Sequence, residues 1–147
     1  MNTSNAKQLM QLDFTKQLKQ RGKIIAEYVW IDGSLTLRSK CRTLPNKVEC
    51  VDDIPGWNFD GSSCYMANTE NSEVILKPVA FYPDPFRQGD NILVLCEAYG
   101  WEDTTYSHLA PANSNFRAYS KFIFDACAHE KPWYGIEQEY TKAFISG

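Results

Sequence analysis

The 147-residue chain has only two histidines, His108 and His129, and neither stands beside a nucleophile in sequence. A histidine-based triad therefore has no local signature, and both rings are expected at the surface. There is no Cys-x-x-Cys pair. The five cysteines fall at positions 41, 50, 64, 96 and 127, an odd number at irregular spacing that fits reduced thiols of a cytoplasmic protein better than a disulfide framework or a zinc site. No apolar run approaches the ~18 residues of a membrane span, and the polar residues 1–6 do not read as an export signal. Basic residues form no run or helical stripe and the formal net charge is −3, so neither nucleic acid nor a membrane surface is an expected partner.

What remains is a folding sequence. With 44% hydrophobic and 14% aromatic residues, disorder is a poor description. A chain this long buries roughly 68–70% of the surface its unfolded form exposes.

In chain order, residues 4–22 read as a helix: Ser4 caps it, Met10, Phe14 and Leu18 recur every four residues, and Gly22 stops it. Residues 24–31 and 35–42, joined through Asp32-Gly33-Ser34, give the strongest hairpin signal. The first strand is apolar on both sides and should be central. In the second, Leu35, Leu37 and Ser39 are expected inward, with Thr36, Arg38 and Lys40 toward water. Further strands are expected at 47–51, 73–77 and 92–99, making a small, mostly antiparallel sheet. The loop Trp57-Asn58-Phe59-Asp60-Gly61-Ser62-Ser63 admits two readings: a turn in which Asp60 and the serines bond their own backbone, or a site presenting Asp60 and a hydroxyl to a cation. Residues 81–87 read as a rigid surface connection without chemistry. Ala110-Pro111 marks a boundary, after which a helix capped by Asn113 or Ser114 carries Phe116, Tyr119, Ile123 and Ala126 or Cys127 on one face and cannot run far past Pro132.

The segment richest in chemistry is Trp133-Tyr134-Gly135-Ile136-Glu137-Gln138-Glu139-Tyr140. As a strand it would place Glu137 and Glu139 on one face, roughly 6.6 Å apart at a rise of ~3.3 Å per residue. That spacing lets each carboxylate hold its own divalent cation, and hard oxygen ligands favour magnesium or manganese. Two negative charges at that distance repel by about 0.6 kcal/mol in water and about 2.5 kcal/mol at an effective dielectric of ~20. The pair therefore lies either on a solvated edge or in a cleft that supplies cations.

Three segments taken together resemble the eukaryotic, cytosolic glutamine synthetases: Asp32-Gly33 through Leu37-Arg38-Ser39-Lys40; Trp57 to Ser63 with Asp84-Pro85-Phe86-Arg87 after it; and Pro132 through Tyr140. The resemblance runs from about residue 26 to residue 140 and covers well under half of a typical member. It implies an α+β fold: an N-terminal helix (1–23), a small β-grasp domain (24–110) and the first helix and strand of a truncated catalytic domain (111–147). It also implies ATP-dependent ligation of ammonia to the side-chain carboxylate of glutamate through a γ-glutamyl phosphate. By the same resemblance Glu139 holds the magnesium or manganese ion near glutamate, Glu137 the ion bridging the ATP phosphates, and Trp133 is either an adenine-stacking ring or a core aromatic. Asp60 draws in ammonium and accepts its proton, with Ser63 lining that pocket. Active sites would lie between subunits of a ring. Residues 64–72 depart from the family's Gly-rich loop. The family's further ligating and phosphate-gripping residues follow beyond residue 147, so this chain alone is expected to be inactive. The alternative is a non-catalytic β-grasp module that docks on full-length rings.

Overall fold

The computed structural model describes residues 20–45, 47–102, 105 and 107–141. The helix expected over 4–22 lies outside these up to residue 19. Residues 20–22 form a turn closed by the Lys23 amide on the Gln20 carbonyl at 2.9 Å, with Gly22 at φ 74°.

Among the described residues six strands form one sheet: β1 (Ile24–Ile31), β2 (Leu37–Leu44), β3 (Trp57–Asp60), β4 (Glu73–Pro83), β5 (Ile92–Trp101) and β6 (Leu109–Pro111). The order is β2-β1-β5-β4-β3, with β6 also on β5. Among these strands only the β1–β5 pair is parallel, and β1 lies inside the sheet, between β2 and β5, as its two apolar faces suggest. Its alternation is regular: Ile24, Ala26, Tyr28 and Trp30 are buried, while Ile25, Glu27 and Val29 are half-buried on the other face. The buried set meets Val74 and Leu76 of β4 and Val94 of β5, closed below by Leu44, Val48 and Ile54.

The sheet curls until its edges meet. Lys40 of β2 donates from Nζ to the Asn58 carbonyl of β3 at 2.9 Å and sits 3.5 Å over the Trp57 ring, with the Arg42 guanidinium 5.1 Å from it. Beneath, Tyr28 meets Trp57 edge-on at 5.4 Å and Trp30 meets Phe59 at 4.4 Å. The result is a half-barrel of β-grasp type.

Several expectations are corrected. The inward face of β2 is the opposite one: Leu37 is 72% exposed, while Lys40 and Arg42 set their cationic ends over the Trp57 ring and, within β2, only Leu44 is buried. No strand forms at 47–51. There the Asp53 carboxylate accepts from the Glu49 and Cys50 amides at 3.0 Å, a local alternative to a ladder, and Val51–Asp53 is a 3-10 turn. Residues 57–60, read as loop, pair with β4. β4 itself runs on to Pro83 and accommodates Pro78 at a register shift.

After β6 comes α1 (Phe116–Cys127), capped by Asn115, whose Oδ1 accepts from the Ala118 amide at 3.2 Å. Ser114 is unavailable for capping because its hydroxyl donates to the Ile31 carbonyl at 2.9 Å. Asn115 Nδ2 to the Ala98 carbonyl at 3.0 Å, and Arg117 to the buried Glu97, complete the anchorage. Much of the rest of α1 faces solvent: Phe122 and Ile123 are 79% and 62% exposed.

Candidate functional site

Asp60 ends β3 opposite Glu73 of β4. Its Oδ1 accepts from the Ser62 amide at 3.0 Å and the Ser62 hydroxyl at 2.7 Å, the geometry of an Asx turn. The Ser62 hydroxyl, then the Ser62 amide, hold its carboxyl below the usual range. Gly61 turns the chain: its amide donates to the Ser72 carbonyl at 2.7 Å, and a Cβ there would lie 2.4 Å from Val74 Cγ2. Ser63 is exposed, with its Oγ 3.7 Å from the Cys64 Sγ. The turn reading of this loop is thus correct for Asp60 and Ser62, and both Asp60 and Ser63 remain open to solvent.

Two motif segments far apart in sequence come together here. The Gly33 amide in the β1–β2 turn donates to the Cys64 carbonyl at 3.0 Å, so the hairpin tip buttresses the turn that follows Asp60. That tip is built on Asp32, fully buried, whose carboxylate accepts from Ser34 and Thr36, backbone and hydroxyl alike, and from Arg38 Nε at 2.8 Å. The Arg38 hydrogen bond, then that of Ser34, keeps the Asp32 carboxyl well below its ordinary range. Sequence reasoning did not single out Asp32. The signal was there, in hydroxyls two and four residues on and a guanidinium six on.

The stretch Asp84-Pro85-Phe86-Arg87 also proves structural. Burial pushes the Asp84 carboxyl up, but the Arg87 guanidinium and the Phe86 and Arg87 amides outweigh it and leave it below the usual range. Arg87 bridges Asp84 to Glu27 of β1, tying the β4–β5 turn to the sheet.

The strand expected at 133–140 is not formed. Residues 131–141 have no ladder partner among the described residues, and a strand without one leaves its amides to water. The shared face read for Glu137 and Glu139 is therefore absent from this structure. Both are exposed and make no hydrogen bond or ion pair among the described residues. Trp133 is 96% exposed, and Tyr134 packs edge-on against Phe124 at 5.4 Å. Carboxylate oxygens suit magnesium or manganese in kind, but no group of three or more His, Cys, Asp or Glu able to hold a metal occurs among the described residues. Two donors do not complete a magnesium sphere. The histidines are at the surface as expected, His108 with Nε2 3.3 Å from Glu102.

A family model described as glutamine synthetase, beta-Grasp domain, matches residues 22–100, more than half of the chain. This chain belongs to the glutamine synthetase family. The matched stretch coincides with the half-barrel from the turn at Gly22 to the end of β5. Glutamine synthetase of Saccharomyces cerevisiae is 51% identical over 125 residues, which is 85% of this chain and 32% of that protein. That of Emericella nidulans is 48% identical over 140 residues, 95% of this chain and 37% of the relative. Glutamine synthetase cytosolic isozyme 1-3 of Arabidopsis thaliana is 53% identical over 121 residues, 82% of this chain and 33% of the relative. The chain thus spans about a third of the length of the curated glutamine synthetases it matches.

Proposed function

We propose that this chain contributes the ammonium-binding loop and the first cation-facing carboxylates of a cytoplasmic glutamine synthetase, the ligase that joins ammonia to the side-chain carboxylate of glutamate at the expense of ATP. The observation that carries the reading is the Asp60 loop, held by Gly33 and Ser62 in an open, anionic form within a half-barrel that belongs to this family.

Asp60 draws in ammonium. The Ser62 hydrogen bonds that stabilise its ionised form also weaken it as a base, so attraction and positioning are its main work, with proton acceptance following as the amine adds. Ser63 offers a hydroxyl beside it. Glu137 and Glu139 are the carboxylates that would face magnesium or manganese, and Trp133 the ring that would stack on adenine. All three need a partner strand and further donors to become ordered into a site, so no step is assigned to a cation here. A neighbouring subunit's face is the natural complement of the open Asp60 loop.

The test is a chimera in which this sequence replaces the matching third of the yeast relative. Asp60→Ala there lowers kcat/KM for ammonium by about a hundredfold or more, and an unchanged ammonium dependence counts against the loop. A second reading, a non-catalytic module docking on full-length rings, draws support from the sheet's own closed core. In that case the native protein has the mass of this chain and enters rings of the relative without adding activity.

A further inference from the structure

Among the described residues five carboxylates are wholly or partly buried: Glu27, Asp32, Glu73, Asp84 and Glu97. Removing a carboxylate from water is costly unless its charge is met, and four of the five meet a guanidinium. Asp32 pairs with Arg38, Glu27 and Asp84 share Arg87, and Glu97 takes Arg117. Glu73 forms no ion pair among the described residues. Its Oε1 accepts from Asn58 Nδ2 at 2.6 Å and its Oε2 from Trp101 Nε1 at 3.0 Å. Two neutral donors, one from β3 and one from β5, therefore hold the group still and leave its charge uncompensated.

The place of that charge gives it a use. Glu73 stands directly opposite Asp60 in the β3–β4 ladder. Directly opposed residues of an antiparallel pair project on one face, with Cβ atoms about 4.5–5.5 Å apart, and Asn58, two residues before Asp60, shares that face. Asp60 also forms no ion pair among the described residues. The Lys40 ammonium that reaches the Asn58 carbonyl lies over Trp57, whose side chain points to the other face of β3. The Gly61 amide on the Ser72 carbonyl at 2.7 Å ties the two strand ends together, so the separation of the two acids is fixed. A small cation approaching Asp60 feels both.

We propose that Glu73 is a steering residue of the ammonium loop: its charge, fixed by Asn58 and Trp101 on the face of Asp60, draws ammonium toward Asp60 without ligating it. This role rests on the ligase reading and deepens it.

The test is Glu73→Gln in the chimera with the yeast relative, run beside Asp60→Ala. Glutamine keeps the shape and removes the charge. The expected result at low salt is a KM for ammonium raised about three- to tenfold, with kcat and the KM for glutamate unmoved. The gap should close in about 1 M sodium chloride, where screening acts within about 3 Å. Trp101→Phe, which removes one donor and leaves the charge, should keep the KM for ammonium within about twofold of the parent. A KM for ammonium unchanged by Glu73→Gln, while Asp60→Ala shows its defect, overturns the steering role and spares the ligase reading. A loss that persists in salt and recurs in Trp101→Phe overturns it too, since Glu73 then acts by holding shape. An ammonium dependence untouched by Asp60→Ala sinks both.

Discussion

The Gly33 amide and the Cys64 carbonyl, 31 positions apart, meet at 3.0 Å and lock the tip of the β1–β2 hairpin to the turn behind Asp60. The approach is close enough that a Cβ on Gly33 would lie 2.0 Å from the Tyr65 carbonyl oxygen. Backbone on both sides cannot yield as a side chain would. Gly33→Ala should therefore destabilise the fold by about 1–3 kcal/mol and move the Asp60 turn. A denaturant midpoint equal to that of the parent would contradict this.

Acid should unfold the sheet. Glu27, Asp32, Asp53, Asp60 and Asp84 all have carboxyls held below their ordinary range. Their folded pKa values are lowered, so the unfolded chain binds more protons as pH falls. The stability they contribute is present above about pH 4, the ordinary carboxylate pKa, and is lost below it. At the alkaline end burial pushes the Cys96 thiol and the Tyr99 phenol up to about 12. Stability from these two is present below their ordinary values and lost as pH rises through about 12. Thermal melts across this range should show a plateau near neutrality, and a midpoint still rising below pH 4 would refute the acid limb.

How much of this was readable in advance depended on how far each residue's partner lay along the chain. The β1–β2 hairpin was legible because Asp32-Gly33-Ser34 is a local turn signal, and the central place of β1 because both its faces are apolar. The facing of β2 was misread because Lys40 and Arg42 look solvated until Trp57, fifteen or more positions away, arrives beneath them. The strand at 133–140 follows from the resemblance and from alternation, and alternation states where side chains would point once a neighbour pairs and cannot supply the neighbour. Asp60 and Ser63 were found by resemblance, while the reason their turn holds, a glycine in a different hairpin, carries no periodic signal.

Among the described residues helix α1 is anchored to the sheet at its first turn. Arg117 pairs with Glu97, whose carboxylate is buried on β5 and also accepts from the Tyr99 hydroxyl at 2.7 Å. Glu97→Gln keeps the shape and removes the charge, and with Arg117 half exposed the loss should be about 1 kcal/mol. Limited proteolysis should then cut within residues 116–131 sooner while β1–β5 stay intact. Unchanged cleavage would show that Ser114 and Asn115 suffice.

The uncovered aromatics should make this chain associate with itself. Phe122, Ile123, Trp133 and Ile136 are between 62% and 96% exposed, more apolar surface than a stable monomer commonly displays. Sedimentation should show concentration-dependent growth that Phe122→Asp with Ile123→Asp suppresses. A monomer at all concentrations would argue that these residues shield one another.

The meeting of Lys40 with Asn58 bears on how such a domain can join others. Edge strands invite foreign strands by offering unfilled carbonyls in a straight row. Here one carbonyl on the β3 border is already taken by an ammonium from β2, which sits on the opposite border. The occupied Asn58 carbonyl thus discourages lengthening of the sheet by strand addition at that point of the β3 border.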